Sequence, residues 1–178
     1  MTDPARRDER KLVTGLFRDR ESAERAYQVL EDKGFLGDDI SVMMLDETRK
    51  KHYGFTPMET EHGNKAIKGA GVGGAIGGTV GAVAAAVAAA GASIALPGLG
   101  LVIAGPIAAA LAGAGAGGAA GGLIGALVGT GIPEDRVKMY EMGIREGGIL
   151  LGVYARSEVE ADFIEQVWRE NEGYIAPK

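Results

Sequence analysis

An α+β fold class is predicted by two features of the sequence. Residues outside the centre of the chain alternate between short apolar runs typical of strands and amphipathic segments typical of helices. Residues 69–133 differ, because they contain no charged side chain and hold twenty of the thirty glycines. The outer segments follow the order βαβ and then αβαβ, which is a split ferredoxin-like arrangement with an antiparallel Gly/Ala-rich helical hairpin inserted between its halves. Since neither half has enough strands to fold alone, we expect both to share one sheet.

The first half of the predicted domain spans residues 11–46. Residues 11–17 (KLVTGLF) have the apolar, partly β-branched content of a strand, and Asp19 is placed to cap the helix that follows. Gly34 ends that helix, and residues 40–46 (ISVMMLD) are predicted to form a second strand. The predicted buried face of the helix consists of Ala23, Ala26, Tyr27 and Leu30.

Residues 47–65 are predicted to form a polar linker. This segment holds both histidines, His52 and His62, with Glu59 and Glu61 near the second. The two histidines lack the i, i+4 or paired-turn spacing that prepares a metal site. We therefore expect solvated linker residues, and we predict neither a metal site nor a cofactor.

The second half of the domain, residues 132–178, begins with a helix. Pro133 is predicted to occupy its first position, with Glu134 and Asp135 at its positive end. Gly147 and the glycine after it end this helix. Its predicted buried face consists of Val137, Tyr140 and Ile144.

The strongest strand signal of the chain follows at residues 149–155 (ILLGVYA). Ser157 and Glu160 then have the spacing of a capping box, which predicts the start of the last helix. Residues 174–176 are predicted to add a short edge strand. The apolar residues aligned on the last helix are Ala161, Ile164 and Trp168, beside Phe163 and Val167.

Residues 66–131 are predicted to form the helical hairpin, packed through a glycine zipper. Small residues recur at every fourth position in two series that mirror each other about Leu99, so each series lies on one helical face. A chain folded back at Pro97 and Gly98, the predicted hairpin turn, brings the two faces together. The second series begins at Gly105. The predicted packing glycines are Gly69, Gly73, Gly77 and Gly81 in the first arm and Gly113, Gly117, Gly121, Gly125 and Gly129 in the second.

The residues that connect the two arms do not decide how deeply the predicted hairpin enters a membrane. Each arm would measure roughly 37 Å as a helix, enough to cross a hydrocarbon core of about 30 Å. The connection is itself strongly apolar, whereas a loop that emerges into water should be polar. Three versions follow: a spanning hairpin with a short apolar turn, a wedge whose tip stays in the bilayer, and a hairpin buried against copies of itself. The apolar residues of the connection are Ile94, Leu96, Leu99, Leu101, Val102, Ile103 and Ile107.

Composition and charge restrict the class of protein. The chain has no cysteine, which excludes disulfides and thiolate metal sites. Its net charge of -5, without a basic stripe, argues against nucleic-acid binding. Residues 1–10 lack the apolar core of a secretory signal and are expected to be a disordered tail. Basic residues flank the apolar segment on both sides, which places both termini in the cytoplasm at the bacterial inner membrane.

Enzymatic motifs are not found in the sequence. Two G-x-G-x-x-G matches, which begin at Gly69 and Gly113, lack the preceding strand and the following acidic residue of a dinucleotide site. There is no G-x-S-x-G motif, and both histidines lie in the predicted linker. Only Thr79, Ser93 and Thr130 are polar within the apolar arms, which favours helix packing over ion permeation. We therefore predict a protein that is not an enzyme.

Two stretches of sequence carry a resemblance. They are VTGLFRDRESAERAYQVLEDKGFLGDDISVM and GIPEDRVKMYEMGIREGGILLGV, which flank the glycine zipper. With this order, the chain resembles the heat-induced or general stress protein 17M-like family of small bacterial proteins. The resemblance implies a stress-linked, membrane-associated protein and supplies no catalytic residues.

The expected function is that of a stress-linked membrane-associated protein that self-associates through the hairpin, with a cytosolic ferredoxin-like domain. The lipid bilayer and a second copy of the chain are its expected partners. The alternative is a soluble homo-oligomeric interaction module, located in the cytoplasm, whose hairpins form the core of the assembly. A ligand sensor or a channel-like protein is a further alternative.

Overall fold

A computed structural model describes residues 11–36, 39–53, 83, 94–96, 100–109, 122–129 and 132–176 of the chain. The predicted tail, residues 1–10, and most of the predicted hairpin lie outside these ranges. Within them lie five strands and five helices. The strands form one antiparallel sheet, and helices cover both of its faces. The α+β class predicted from the sequence is confirmed.

The secondary structure has the following bounds. The strands are β1 (Lys11–Phe17), β2 (Ile40–Leu45), β3 (Ile94–Leu96), β4 (Leu101–Ala104) and β5 (Ile149–Ala155). The helices are α1 (Arg20–Asp32), α2 (Asp46–Tyr53), α3 (Gly122–Val128), α4 (Glu134–Arg145) and α5 (Glu158–Glu170). Residues 106–109 are also helical.

The strands lie in the order β1-β5-β2-β4-β3, and every neighbouring pair is antiparallel. Because β5 lies between β1 and β2, these two strands run in the same direction on either side of it. β1 pairs with β5 along its whole length, from Lys11 opposite Ala155 onward. On the other side of β1, an isolated bridge joins Leu16 to Tyr174. The predicted edge strand at 174–176 is reduced to that bridge.

The first face of the sheet is covered by α1 and α5. The apolar residues predicted for these two helices are buried except Phe163, which is partly buried, and Trp168 of α5 is fully buried against the sheet. Gly15 of β1 permits this close approach, since a Cβ at that position would lie 2.9 Å from Cγ of the Trp168 ring. The two halves of the sequence therefore share one core, as predicted.

The second face of the sheet is covered by α4 and by residues of the Gly/Ala-rich segment. Val137, Tyr140 and Ile144 of α4 are fully buried, as their spacing predicts. The segment itself adds further buried residues to the same cluster: Leu101, Ile103, Ile107, Ala108 and Leu127. The uncharged segment therefore supplies part of the core of the domain.

Two of the predicted helix caps are confirmed. The Asp19 carboxylate accepts a hydrogen bond from the backbone N–H of Ser22 at 2.8 Å. Ser157 Oγ accepts one from the N–H of Glu160 at 3.1 Å. The Glu160 carboxylate reaches back to the N–H of Arg156, one residue before the partner that a capping box predicts.

Two helix boundaries differ from the prediction. Pro133 is the N-cap of α4, so the helix begins one residue later than predicted. The first part of the predicted linker is the polar helix α2, in which Thr48 is buried. Its stability comes from acidic residues in the first turn and basic residues in the last, as the helix dipole favours, with Asp46 and Lys50 joined at 2.7 Å. Such a helix has no apolar periodicity for sequence analysis to detect.

The apolar connection of the predicted hairpin forms β3 and β4. Ile94 lies opposite Ile103 and Leu96 opposite Leu101, so the chain reverses between these strands, near the predicted mirror point. β4 pairs in turn with β2. The predicted turn residues, Pro97 and Gly98, lie outside the described ranges. The apolar character of β4 is explained by its burial in the sheet, a possibility that the sequence analysis did not include.

Gly105, with which the second zipper series begins, ends β4. Its φ of +84° lies in the left-handed region that favours glycine, and a Cβ there would collide with the carbonyl oxygen of Ile40. Gly105 is therefore required by the turn out of β4 and by its contact with β2. Its place in the every-fourth series has this local cause and not a helical face.

Replacing Ile103 tests whether β4 belongs to the core of the domain. Since this side chain is fully buried, Ile103→Ala should lower the free energy of unfolding by roughly 2 to 5 kcal/mol in urea denaturation. Leu36 is 68% exposed, so the control Leu36→Ala should change the free energy of unfolding by no more than about 0.5 kcal/mol. Equal effects of the two substitutions would contradict the position of β4.

Candidate interaction site

The structure describes two of the nine predicted packing glycines. Gly125 lies half-buried in α3, and Gly129 follows that helix and donates its N–H to the carbonyl of Gly125 at 3.0 Å. The other seven lie outside the described ranges: Gly69, Gly73, Gly77, Gly81, Gly113, Gly117 and Gly121. α3 packs against α4, and its Leu127 is fully buried. The described end of the second arm thus contacts the domain.

The first arm also meets the domain at a described residue. Val83 is fully buried in the cluster that α1 and α5 form with the sheet. Its backbone N–H donates to Glu24 Oε2 of α1 at 3.0 Å. A carboxylate that accepts from a backbone N–H forms a charge-assisted hydrogen bond, which is stronger than a neutral one. Glu24 therefore connects α1 to the Gly/Ala-rich segment.

Glu24 belongs to a group of residues that we call the Glu24 cluster: Arg20, Glu24, His52, Tyr53 and Val83. Arg20 Nε lies 3.7 Å from Glu24 Oε1, and its guanidinium stacks over the Tyr53 ring, 4.8 Å from the centroid. Arg20 also donates from Nη1 to the carbonyl of His52 at 2.7 Å. The arginine thereby joins the start of α1 to the end of α2.

Two buried oxygen atoms of the Glu24 cluster have no hydrogen-bond partner among the described residues. They are Glu24 Oε1 and the Tyr53 hydroxyl. Burial, followed by the negative charge of Glu24, raises the pKa of Tyr53 above the ordinary value for tyrosine. The hydroxyl therefore keeps its proton in alkaline solution in which an ordinary tyrosine loses it. The cluster is a charged junction between α1, α2 and the first arm.

Of the residues considered for metal binding, the structure describes only His52. His52 lies at the end of α2, where its ring is 6.5 Å from that of Tyr53, and His62 is outside the described ranges. No group of three or more His, Cys, Asp or Glu side chains suited to a metal ion occurs in the residues that the structure describes.

The Glu24 cluster was not predicted from the sequence. Arg20 and Glu24 have i, i+4 spacing, which is visible in the sequence but is common on solvated helix faces. The contact between Glu24 and Val83 joins positions far apart in the chain, and nothing local signals it.

Together, these features define an α+β domain into which a Gly/Ala-rich segment is built. Among its described helices, none is both long enough and apolar enough to cross a membrane. Comparison with family models, curated proteins and solved structures gave no match to this chain.

The raised pKa of Tyr53 predicts a stability change in alkaline solution. The unfolded chain loses this proton near pH 10, while the folded chain keeps it, so stability present below pH 10 falls as the pH rises further. Tyr53→Phe cannot ionise and should lose less stability than the unmodified chain between pH 9 and pH 11 in urea denaturation. Tyr174 is partly exposed, and Tyr174→Phe should follow the unmodified chain. Parallel pH profiles for all three would refute the burial of this hydroxyl.

Proposed function

We propose that this chain is a non-enzymatic protein that self-associates through its Gly/Ala-rich segment, carried on a domain of ferredoxin-like topology. The observation that supports it best is the burial of Val83, Ile103 and Leu127 of this segment against the domain. It favours the version in which the segment packs on protein, as a soluble homo-oligomeric module requires.

The ferredoxin-like topology is supported by the order of the strands. β1, α1 and β2 form a split βαβ unit with β5 between the two strands. α5 follows β5, packs beside α1, and leads to the bridge between Tyr174 and Leu16 on the outer side of β1. With Tyr174 counted as a remnant of the fourth strand, the order Tyr174-β1-β5-β2 supports a ferredoxin-like sheet, to which β4 and β3 are added beside β2.

Self-association is supported by the cost of the glycines. A glycine inside a helix is less favourable than alanine by about 0.8 to 1 kcal/mol. The eight zipper glycines that pair across the mirror point are the four of the first arm and Gly117, Gly121, Gly125 and Gly129, and in helices they would cost roughly 6 to 8 kcal/mol. Glycines at this spacing let two helix backbones approach closely, and the packing gained in this way offsets the cost. The stress response is proposed from the resemblance to the general stress protein family alone.

Leucine substitutions test the zipper. Gly77→Leu and Gly121→Leu should each push facing helices apart, and we expect the oligomer to dissociate, as measured by sedimentation velocity. Ala75→Leu and Ala119→Leu add the same side chain two residues away, on the opposite helical face, and should leave the oligomer intact. Unchanged assembly in both glycine variants would count against the zipper.

Membrane association is a second candidate, favoured by a different observation. Residues 69–133 contain no charge over a length well beyond the roughly 20 residues that one membrane span needs. In this candidate, the segment associates with the bacterial inner membrane and the domain stays in the cytoplasm.

Fractionation without detergent distinguishes the two candidates. The leading proposal predicts one defined large species in the supernatant of the expressing cells. The second candidate predicts protein in the membrane pellet that resists an alkaline carbonate wash. A monomer in the supernatant would contradict both.

A further inference from the structure

A cavity of about 400 Å³ lies at the outer edge of β1. Its wall on the sheet consists of residues 11–14 of that strand. Side chains of α4 and α5 and the backbone of the C-terminal segment complete it: Arg136, Glu165, Arg169, Ile175 and Ala176. We call it the β1 cleft. It is separate from the Glu24 cluster and from the described zipper residues.

The β1 cleft exists because the C-terminal segment leaves the edge of the sheet. Tyr174 and Leu16 exchange two backbone hydrogen bonds of 2.7 and 2.9 Å. Two residues later, the N–H of Ala176 donates to the hydroxyl of Tyr140 at 3.2 Å, and that hydroxyl donates to the carbonyl of Thr14 at 3.3 Å. The Tyr140 hydroxyl therefore lies between the backbone of β1 and that of the C-terminal segment and keeps the two from pairing directly.

Among the residues that the structure describes, nothing pairs with the backbone of β1 at Leu12 on the side away from β5, so this part of the strand is an open edge facing the cleft. Alternate residues of an antiparallel strand direct their N–H and C=O groups to opposite sides. The N–H and C=O groups of Leu16 point outward and bond to Tyr174. The same groups of Thr14 and Leu12 therefore also point outward. The Thr14 carbonyl is bonded to Tyr140, whereas the outward groups of Leu12 have no hydrogen-bond partner in the described part of the chain. An edge of this kind pairs readily with another extended segment.

The side chains around the cleft give it a positive charge in an acidic protein. Lys11, Arg136 and Arg169 outnumber the one acid, Glu165, although the whole chain carries -5. Lys11 contacts Glu158 at 3.1 Å, and Glu158 is 79% exposed; Arg169 contacts Glu165 at 2.8 Å, and Arg169 is 62% exposed. Since one partner of each pair lies in water, each pair contributes little, and a ligand carboxylate can share these cations at small cost.

We propose that the β1 cleft binds an extended acidic segment of a partner protein as an added strand beside Leu12. Lys11 and Arg169 lie on the α5 side of the sheet and Arg136 on the α4 side. Because the side chains of a strand alternate between faces, adjacent acidic residues of the partner each meet a cation. The backbone of Leu12 supplies the strand hydrogen bonds, and the cations select for acidic sequence. This proposal does not depend on self-association.

Titration of the full chain with a probe peptide tests the proposal. The probe is a blocked six-residue peptide with two adjacent glutamates flanked by threonines. Calorimetry should give a Kd at least ~10-fold lower for it than for the same peptide with glutamines, because charge complementarity selects it. N-methylation of alternate peptide nitrogens should abolish binding, and the Leu12 amide should become protected from hydrogen exchange. Equal binding of the N-methylated peptide, or of acetate, would overturn the added strand.

A matched pair of arginine variants locates the site. Arg169→Glu should weaken binding of the glutamate peptide by roughly tenfold or more, because it reverses a charge in the cleft. The control Arg145→Glu alters an i, i+4 pair of similar exposure, and Arg145 lies at the opposite end of α4 from Arg136. This variant should bind the glutamate peptide as the unmodified chain does. Equal loss in both variants would show non-specific attraction and refute the site. A Leu12 amide already protected without peptide would show that the chain itself fills the edge, which also refutes it.

Discussion

The central strand β5 is apolar on both faces, and the need to cover both faces is the constraint on which the rest of the structure depends. Leu151 and Val153 face α1 and α5, while Leu150 lies in the cluster that α4 covers. The first face is closed by two amphipathic helices from the two halves of the sequence. On the second face, α4 is the only covering helix that comes from the two halves. Residues 106–109 and α3 complete the cover, and β4 adds buried side chains to the same cluster. The described residues 101–109 and α3 of the Gly/Ala-rich segment are therefore a structural part of the domain, and deleting them would expose apolar surface.

The Tyr140 hydroxyl connects three elements on this second face. It accepts from Thr14 Oγ1 at 2.9 Å and from the backbone of Ala176, and it donates to the Thr14 carbonyl. A buried hydroxyl with all its hydrogen bonds made is stable, whereas one left without partners would cost about 1 to 3 kcal/mol. The same bonds hold the C-terminal segment close enough to bury Ala176 and far enough from β1 to leave the cleft open. One side chain thus sets both the packing and the open edge.

Sequence reasoning succeeded where one local pattern decides the structure. β1 and β5 have the predicted bounds, because apolar runs between turn residues indicate strands, and Asp19 and Ser157 mark helix starts. It missed β3 and β4, because short apolar strands within a Gly/Ala background resemble a hairpin connection. The Glu24 cluster and the β1 cleft escaped it for another reason. Each is assembled from elements distant in sequence, and a contact such as that of Glu24 with Val83 has no local signature.

The pairing of β4 with β2 also limits how the segment could meet a membrane. A hairpin that crosses the bilayer places its connection on the far side, about 30 Å from the domain. Here the residues that connect the two predicted arms are strands of the domain's own sheet. A spanning hairpin whose connection lies on the far side of a bilayer therefore does not fit the described strands β3 and β4. Absence of charge is equally necessary for burial in protein, and Val83, Ile103 and Leu127 of the segment are buried in this way.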